Sequence, residues 1–356
     1  MAEGTRVALA LGSGGARGYA HIGVIEVLEE RGFEIVSIAG SSMGALVGGL
    51  HAAGTLAPYT EWVRGLRQRD VVRLLDVSLS APGAIRAEKI LARVRELLAG
   101  ALIEDLPIAF TAVATDLLAR KEVWFQKGRV DVAIRASIAI PTVITPVMLN
   151  GRLLADGALT NPVPIAPTAS AQADLTVAVS VAGDGRDQLG TTPVHETAEE
   201  RPVEEWTERF RAGASQLLDR ELVRTLRGRF GAASATPTAG IAPLAPSTTG
   251  ATGAPATPAG TGGGAGTAAP GHDPFGALPA GLGKFDMMNE SLDTMQSVLT
   301  RYRLAGFPPD VLVSVPRDSC RSLDFHRAAE MIAIGRKLAA EALDRAGLTD
   351  AGSARS

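Results

Sequence analysis

The chain has 356 residues, 46% hydrophobic and 21% charged, with a formal net charge of −3 and one cysteine. That is enough apolar length for one large α/β domain or two smaller ones, and it excludes a chain disordered throughout. The near-neutral balance gives no electrostatic reason to expect nucleic acid; Cys320 alone makes no disulfide framework, and His21, His51, His195, His272 and His326 lack ligand spacing, so no metal is expected.

The first apolar run, Val7 to Leu11, ends in glycines and predicts a buried strand. Ala16 to Arg31 carries Ile22, Val24, Ile25, Val27 and Leu28 at helical spacing, with Gly32 as a stop. A second strand is expected near Ile35–Ala39, leading into a small-residue helix over Met43–Ala53 packed closely on the sheet. This βαβα alternation argues for a parallel sheet flanked by helices. Further strands are expected at Ile108–Ala114, Val123–Phe125, Leu175–Val181 and Val311–Val315, and helices over Arg86–Ala99 and Phe325–Ala346. Only five apolar residues precede Gly12, too few for a signal segment or a membrane span, and no other stretch is long enough; the expected setting is cytoplasmic.

Composition changes after Val181. Val203 to Phe230 reads as an amphipathic helix with Trp206, Phe210, Leu217 and Leu222 on one side and Arg220, Arg224, Arg227 and Arg229 gathered late. Such a helix suits an anionic bilayer or a lid over an acyl pocket, or else packs on the core; Glu204, Glu205, Glu208, Asp219 and Glu221 favour packing. From Gly231 to Gly283 the chain is nearly all Ala, Gly, Pro, Thr and Ser, with Asp273 its only acid, which predicts a disordered insert. The expected organisation is a core over 5–184, an insert over 185–285, and the C-terminal part of the core over 286–346.

Between the second strand and its helix lies Gly40-Ser41-Ser42-Met43-Gly44, a G-x-S-x-G pattern in strand–turn–helix context with Ser42 at its centre. A serine hydroxyl is a weak nucleophile, so it needs a tight bend that holds it beside a base and backbone N–H donors. Gly40 and Gly44 remove side chains where strand and helix converge. The Met43 N–H is a further donor in the general elbow geometry. After the first strand, Gly12-Ser13-Gly14-Gly15-Ala16-Arg17-Gly18 leaves N–H groups unshielded at a helix start, where a developing oxyanion would bind. A dinucleotide fingerprint would need glycine at position 17, and a Walker A loop would need Gly-Lys there; other phosphate binding and a plain tight turn stay open. Asp156, in Ala155-Asp156-Gly157, reads by itself as a turn residue, and Asp116 as a turn cap or, less in keeping with its type, as a catalytic carboxylate. Arg17 reads as a loop anchor or a contact for lipid phosphate. His326 reads as a structural residue at a helix start, or as the third member of a Ser-Asp-His triad.

Together these motifs resemble the bacterial branch of the patatin-like phospholipase family: the Gly12–Gly18 loop with its arginine, the Gly40–Gly44 elbow, and Asp156-Gly157-Ala158. Ala114-Thr115-Asp116, Ala136–Pro141, Asn161–Pro164, Arg301–Asp310 and Asp324–Glu330 extend the similarity across most of the chain outside 185–285. The resemblance implies a three-layer α/β/α sandwich with a mostly parallel central sheet, interrupted by the insert. It also implies a serine–aspartate dyad without a catalytic histidine. Ser42 matches the nucleophile, Asp156 the base, and Gly14 and Gly15 the oxyanion donors, with Gly12, Arg17, Gly40, Gly44 and Gly157 in the same motifs. Ser13 stands where many members have glycine. An ordinary carboxylate, with a pKa of about 4, is a poor base for serine, so partial burial should raise that of Asp156 toward neutrality.

The expected protein is a cofactor-free serine acyl hydrolase acting on phospholipids or lysophospholipids through an acyl-Ser42 intermediate. Its expected partners are a lipid or acyl-ester substrate and, peripherally, the inner face of the membrane. Rival readings are a non-catalytic lipid-binding or regulatory protein that keeps the fold, and nucleotide binding at the glycine loop.

Overall fold

The structure is a computed structural model that describes residues 4–74, 88–141, 144–183, 284–350 and 352. These lie in one compact unit drawn from Met1–His195 and Gly283–Ser356. The helix read over 203–230 and the insert read over 231–283 lie outside the described residues.

Among the described residues one sheet contains β1 (Arg6–Leu11), β2 (Glu34–Ser41), β3 (Ala109–Asp116), β4 (Lys121–Phe125), β5 (Val147–Leu149), β6 (Arg152–Asp156), β7 (Leu175–Gly183) and β8 (Val311–Pro316). Five of them, in the order β3-β2-β1-β7-β8, run parallel, while β4, β6 and β5 add antiparallel pairings beyond β3. The α-helices are α1 (Ala20–Glu30), α2 (Met43–Ala52), α3 (Leu56–Arg64), α4 (Gln68–Leu74), α5 (Glu88–Leu98), α6 (Val130–Ser137), α7 (Lys284–Gly306) and α8 (Ala328–Arg345).

Side chains alternate across a strand, so each strand of the parallel core divides its residues between two faces. Val7, Leu9 and Leu11 of β1 join Val177, Val179 and Val181 of β7 and Val311, Val313 and Val315 of β8 in the main core, together with α1, α2 and α8. Ala10 and Ala178 point to the other face, where they meet Val163, Ile165 and Leu304 of α7. Both faces are covered, as parallel strands require, and the result is the expected three-layer α/β/α fold. α1 and α8 approach so closely that a Cβ on Gly23 would fall on the Ile332 carbonyl, and one on Gly335 on the Ala20 carbonyl.

The helix expected from Ala16 begins later. Gly15–Tyr19 forms a 3-10 turn instead, with Gly15 at φ 55° and the Ala16 N–H donated to Ser322 O at 2.9 Å. The α-helix starts only at Ala20.

Strand β3 positions everything that follows. β4 occupies one of its edges along Ala112–Asp116. The other edge is shared: β2 pairs along Ala109–Val113, and β6, arriving from the opposite direction, takes Ala114–Asp116. Ser41 therefore sits opposite Val113, and Asp156 opposite the next residue, Ala114. Two segments far apart in sequence end head to head on one ladder.

Candidate active site

At the end of β2 the chain turns sharply into α2. Ser42, at the turn, has φ 55° and ψ −121°, a strained backbone for a residue with a side chain. The turn is pinned by Ser137, whose hydroxyl accepts from the Ser42 N–H at 2.9 Å and donates to Val113 O at 2.6 Å. Ser41 Oγ donates to Asn161 O at 2.6 Å. Glycine is needed on both sides of the bend: a Cβ on Gly40 would fall on the backbone of Gly44, and one on Gly44 on the Leu11 carbonyl. Gly157 faces the same constraint against the Val113 carbonyl.

The shared β3 edge brings Asp156 to this bend. Ser42 Oγ donates to Asp156 Oδ2 at 2.5 Å, while Asp156 Oδ1 accepts from the Ala158 N–H at 2.8 Å. Thr115 Oγ1 holds the Asp156 carbonyl at 2.8 Å, and the Asp156 N–H goes to Ala139 O at 2.9 Å. Asp156 is 1% exposed and Ser42 3%. Burial pushes the carboxyl up to about 7, against the opposing pull of the Ser42 and Ala158 hydrogen bonds. The raised value expected of Asp156 is thus present.

Above the pair runs the glycine loop. The Gly12 N–H donates to Val179 O and the Ser13 N–H to Pro162 O, both at 2.9 Å. Among the described residues the N–H groups of Gly14, Gly15 and Met43 have no hydrogen-bond partner, and all three residues line one cavity with Ser42 and Asp156. Ser13, whose N–H is spoken for, turns its hydroxyl to Gln296 Oε1 at 3.2 Å. Arg17 is a buried loop anchor: Nε donates to Gly14 O at 3.4 Å, and its terminal nitrogens reach Arg317 O at 3.1 Å, Ser322 Oγ at 3.2 Å and the Asp293 carboxylate at 3.6 Å.

The cavity is about 130 Å³. Its lining is mostly apolar, with Leu46, Tyr59, Ile90, Ile138, Ile140 and Ile144 among it, and it also carries the polar side chains of Arg17, Asp293, Gln296 and Ser322. A mostly apolar lining with a few polar groups is the usual character of a small-molecule site.

Two alternatives fare differently. Asp116 Oδ1 accepts from the N–H groups of Leu118 and Ala119 at 3.0 and 2.9 Å, so it caps a turn. His326 lies on a short 3-10 turn, and among the described residues no hydrogen bond links it to Asp156. Sequence reading passes over Ser137, although it falls in the Ala136–Pro141 segment that carries the resemblance. It also passes over α7, whose Asp293 and Gln296 reach the loop, and gives no role to His21, the one fully buried polar side chain of α1. Among the described residues no group of three or more His, Cys, Asp or Glu side chains is placed to hold a metal ion. Nor is any described helix long and apolar enough to cross a membrane.

Fold and site together define a three-layer α/β protein with a serine at a strained strand-to-helix elbow. A family model described as patatin-like phospholipase matches residues 9–169. Proteins named "uncharacterized NTE family protein" in Mycobacterium tuberculosis and Mycobacterium bovis are each 51% identical over 98% of this chain and 94% of their own length. Patatin-like phospholipase domain-containing protein 6 of Mus musculus is 29% identical over 53% of this chain and 14% of its own. The chain belongs to the patatin-like phospholipase family. Membership supports lipid hydrolase activity at the level of the family.

Proposed function

We propose that the protein is a serine acyl hydrolase that cleaves ester-linked acyl chains of phospholipids or lysophospholipids, using Ser42 and Asp156 as a dyad. The carrying observation is the buried 2.5 Å hydrogen bond from Ser42 Oγ to Asp156 at the strained turn.

As Ser42 Oγ attacks the ester carbonyl, its proton passes to Asp156 Oδ2. The carboxyl, at about 7, is matched to receive a proton near neutral pH and to return it. The carbonyl oxygen becomes an oxyanion under the N–H groups of Gly14, Gly15 and Met43; loss of one such donor typically costs about 3 kcal/mol of transition-state stabilisation. Collapse of the tetrahedral intermediate releases the alcohol, which takes the proton from Asp156. Asp156 then draws a proton from water as that water attacks the acyl-serine, and returns it to Ser42 Oγ as the second tetrahedral intermediate collapses and the free acid departs. The scheme needs no cofactor. A cytoplasmic protein touching the inner membrane face would draw such substrates from the bilayer.

The test is Ser42→Ala. Turnover of p-nitrophenyl acyl esters and labelling by a fluorophosphonate probe should both vanish; labelling that persists places the nucleophile elsewhere. A wild-type protein inert to the probe and to every acyl ester would instead be a lipid-binding protein that keeps the fold.

A further inference from the structure

His21 enters α1 behind the glycine loop, fully buried, and its Nε2 lies 2.7 Å from Gly12 O. A carbonyl only accepts, so Nε2 carries the proton. Burial lowers the imidazole pKa to about 4, leaving the ring neutral and Nδ1 bare. That Nδ1 is buried without a partner among the described residues. An orphaned polar atom in a packed interior is costly and asks what the other nitrogen does in return.

The peptide plane between Gly12 and Ser13 gives the answer. Its carbonyl is held by His21, and its N–H by Pro162 O at 2.9 Å. The next two N–H groups, of Gly14 and Gly15, are the ones free at the cavity. If this plane turned over, the Gly12 carbonyl would leave His21 and the following amides would rotate away from their present directions. Glycine on one side of the plane keeps the barrier to that turn low.

We propose that His21 is a positioning residue: by clamping the Gly12 carbonyl it holds the Gly14 and Gly15 amides aimed at the reacting carbonyl. This rests on the reading of those amides as oxyanion donors. Their bonds to substrate strengthen in the transition state, so loosening them lowers kcat more than it changes KM.

Wild type, His21→Leu, His21→Asn and His21→Gln are compared for p-nitrophenyl butyrate turnover, thermal melting, and the amide NMR resonances of Gly14 and Gly15. Glutamine carries an N–H at the reach of Nε2; asparagine is one bond short. His21→Leu and His21→Asn should lose roughly 10–100-fold in kcat with KM within about threefold, and His21→Gln should recover to within about fivefold of wild type. The Gly14 and Gly15 resonances should move in the first two variants and return in the third. If leucine does not fold, asparagine carries the comparison. A folded variant without the donor that keeps wild-type kcat and unmoved resonances overturns the proposal, as does glutamine no better than asparagine. An inactive wild type sinks the hydrolase reading instead, and the resonances then decide the clamp alone.

Discussion

Two buried titratable residues pull the stability of this protein in opposite directions with pH. Asp156 holds its proton up to about 7 when folded, well above its ordinary 3.8, so the folded state is favoured as pH falls from 7 to 4. The contribution is at most roughly 4 kcal/mol, absent above neutrality. His21 is the reverse: its folded value of about 4 lies below the ordinary 6.5, so stability is lost as pH falls through that window, by at most roughly 3 kcal/mol. In the wild type these trends largely offset. Asp156→Asn removes only the first, so the variant should melt higher than wild type at pH 8 and fall steeply toward pH 5, while losing most activity. Wild-type kcat/KM should rise with pH through an apparent pKa near 7; a flat profile between pH 6 and 8 counts against Asp156 as base. Ser42 is legible from residues because its motif sits between a strand and a helix. Asp156 is not: an Asp before Gly reads as a turn, and only the family resemblance singles it out.

At the scale of elements, the strands of the parallel core are legible because burial on both faces makes them continuous apolar runs. β1, β2, β3, β7 and β8 lie within a few residues of where those runs predict them. β6 and α7 escape because their partners are distant: β6 exists by pairing with β3 and β5, and α7 by resting on β7 and the glycine loop. α7 exposes Met287, Met288, Met295, Val298 and Tyr302, which blurs the amphipathic pattern that would mark it. The pair α1–α8 invites a direct test. Gly335→Ala places a methyl group on the Ala20 backbone, an overpacking that should cost about 1–3 kcal/mol and lower Tm by roughly 2–10 °C. An unchanged melting point would mean that the two helices separate freely.

For the whole molecule, the described core closes only when both ends of the chain are present. β8 covers the outer edge of β7, and α8 puts Met331 and Ile332 into the core beside Ile22 and Ile25 of α1. A chain stopped before Val311 should therefore lose its cooperative melting transition and bind hydrophobic dye; a sharp transition at the wild-type temperature would show an autonomous N-terminal domain. The return itself is legible from the strand expected at Val311–Val315 and the helix expected over Phe325–Ala346, but nothing local tells which edge of the sheet a late strand will join.

The shared edge of β3 carries one more implication. Hydrogen-bond ladders admit whole-residue slips only, about 3.4 Å for each residue, and a slip of one residue sends every side chain of the strand to the opposite surface. Shortening β6 by a single residue would thus swing Asp156 clear of Ser42 instead of merely loosening it. On this geometry, probe labelling is an all-or-nothing property of each molecule, and titrating a preparation with a fluorophosphonate would count how many copies have zipped up correctly.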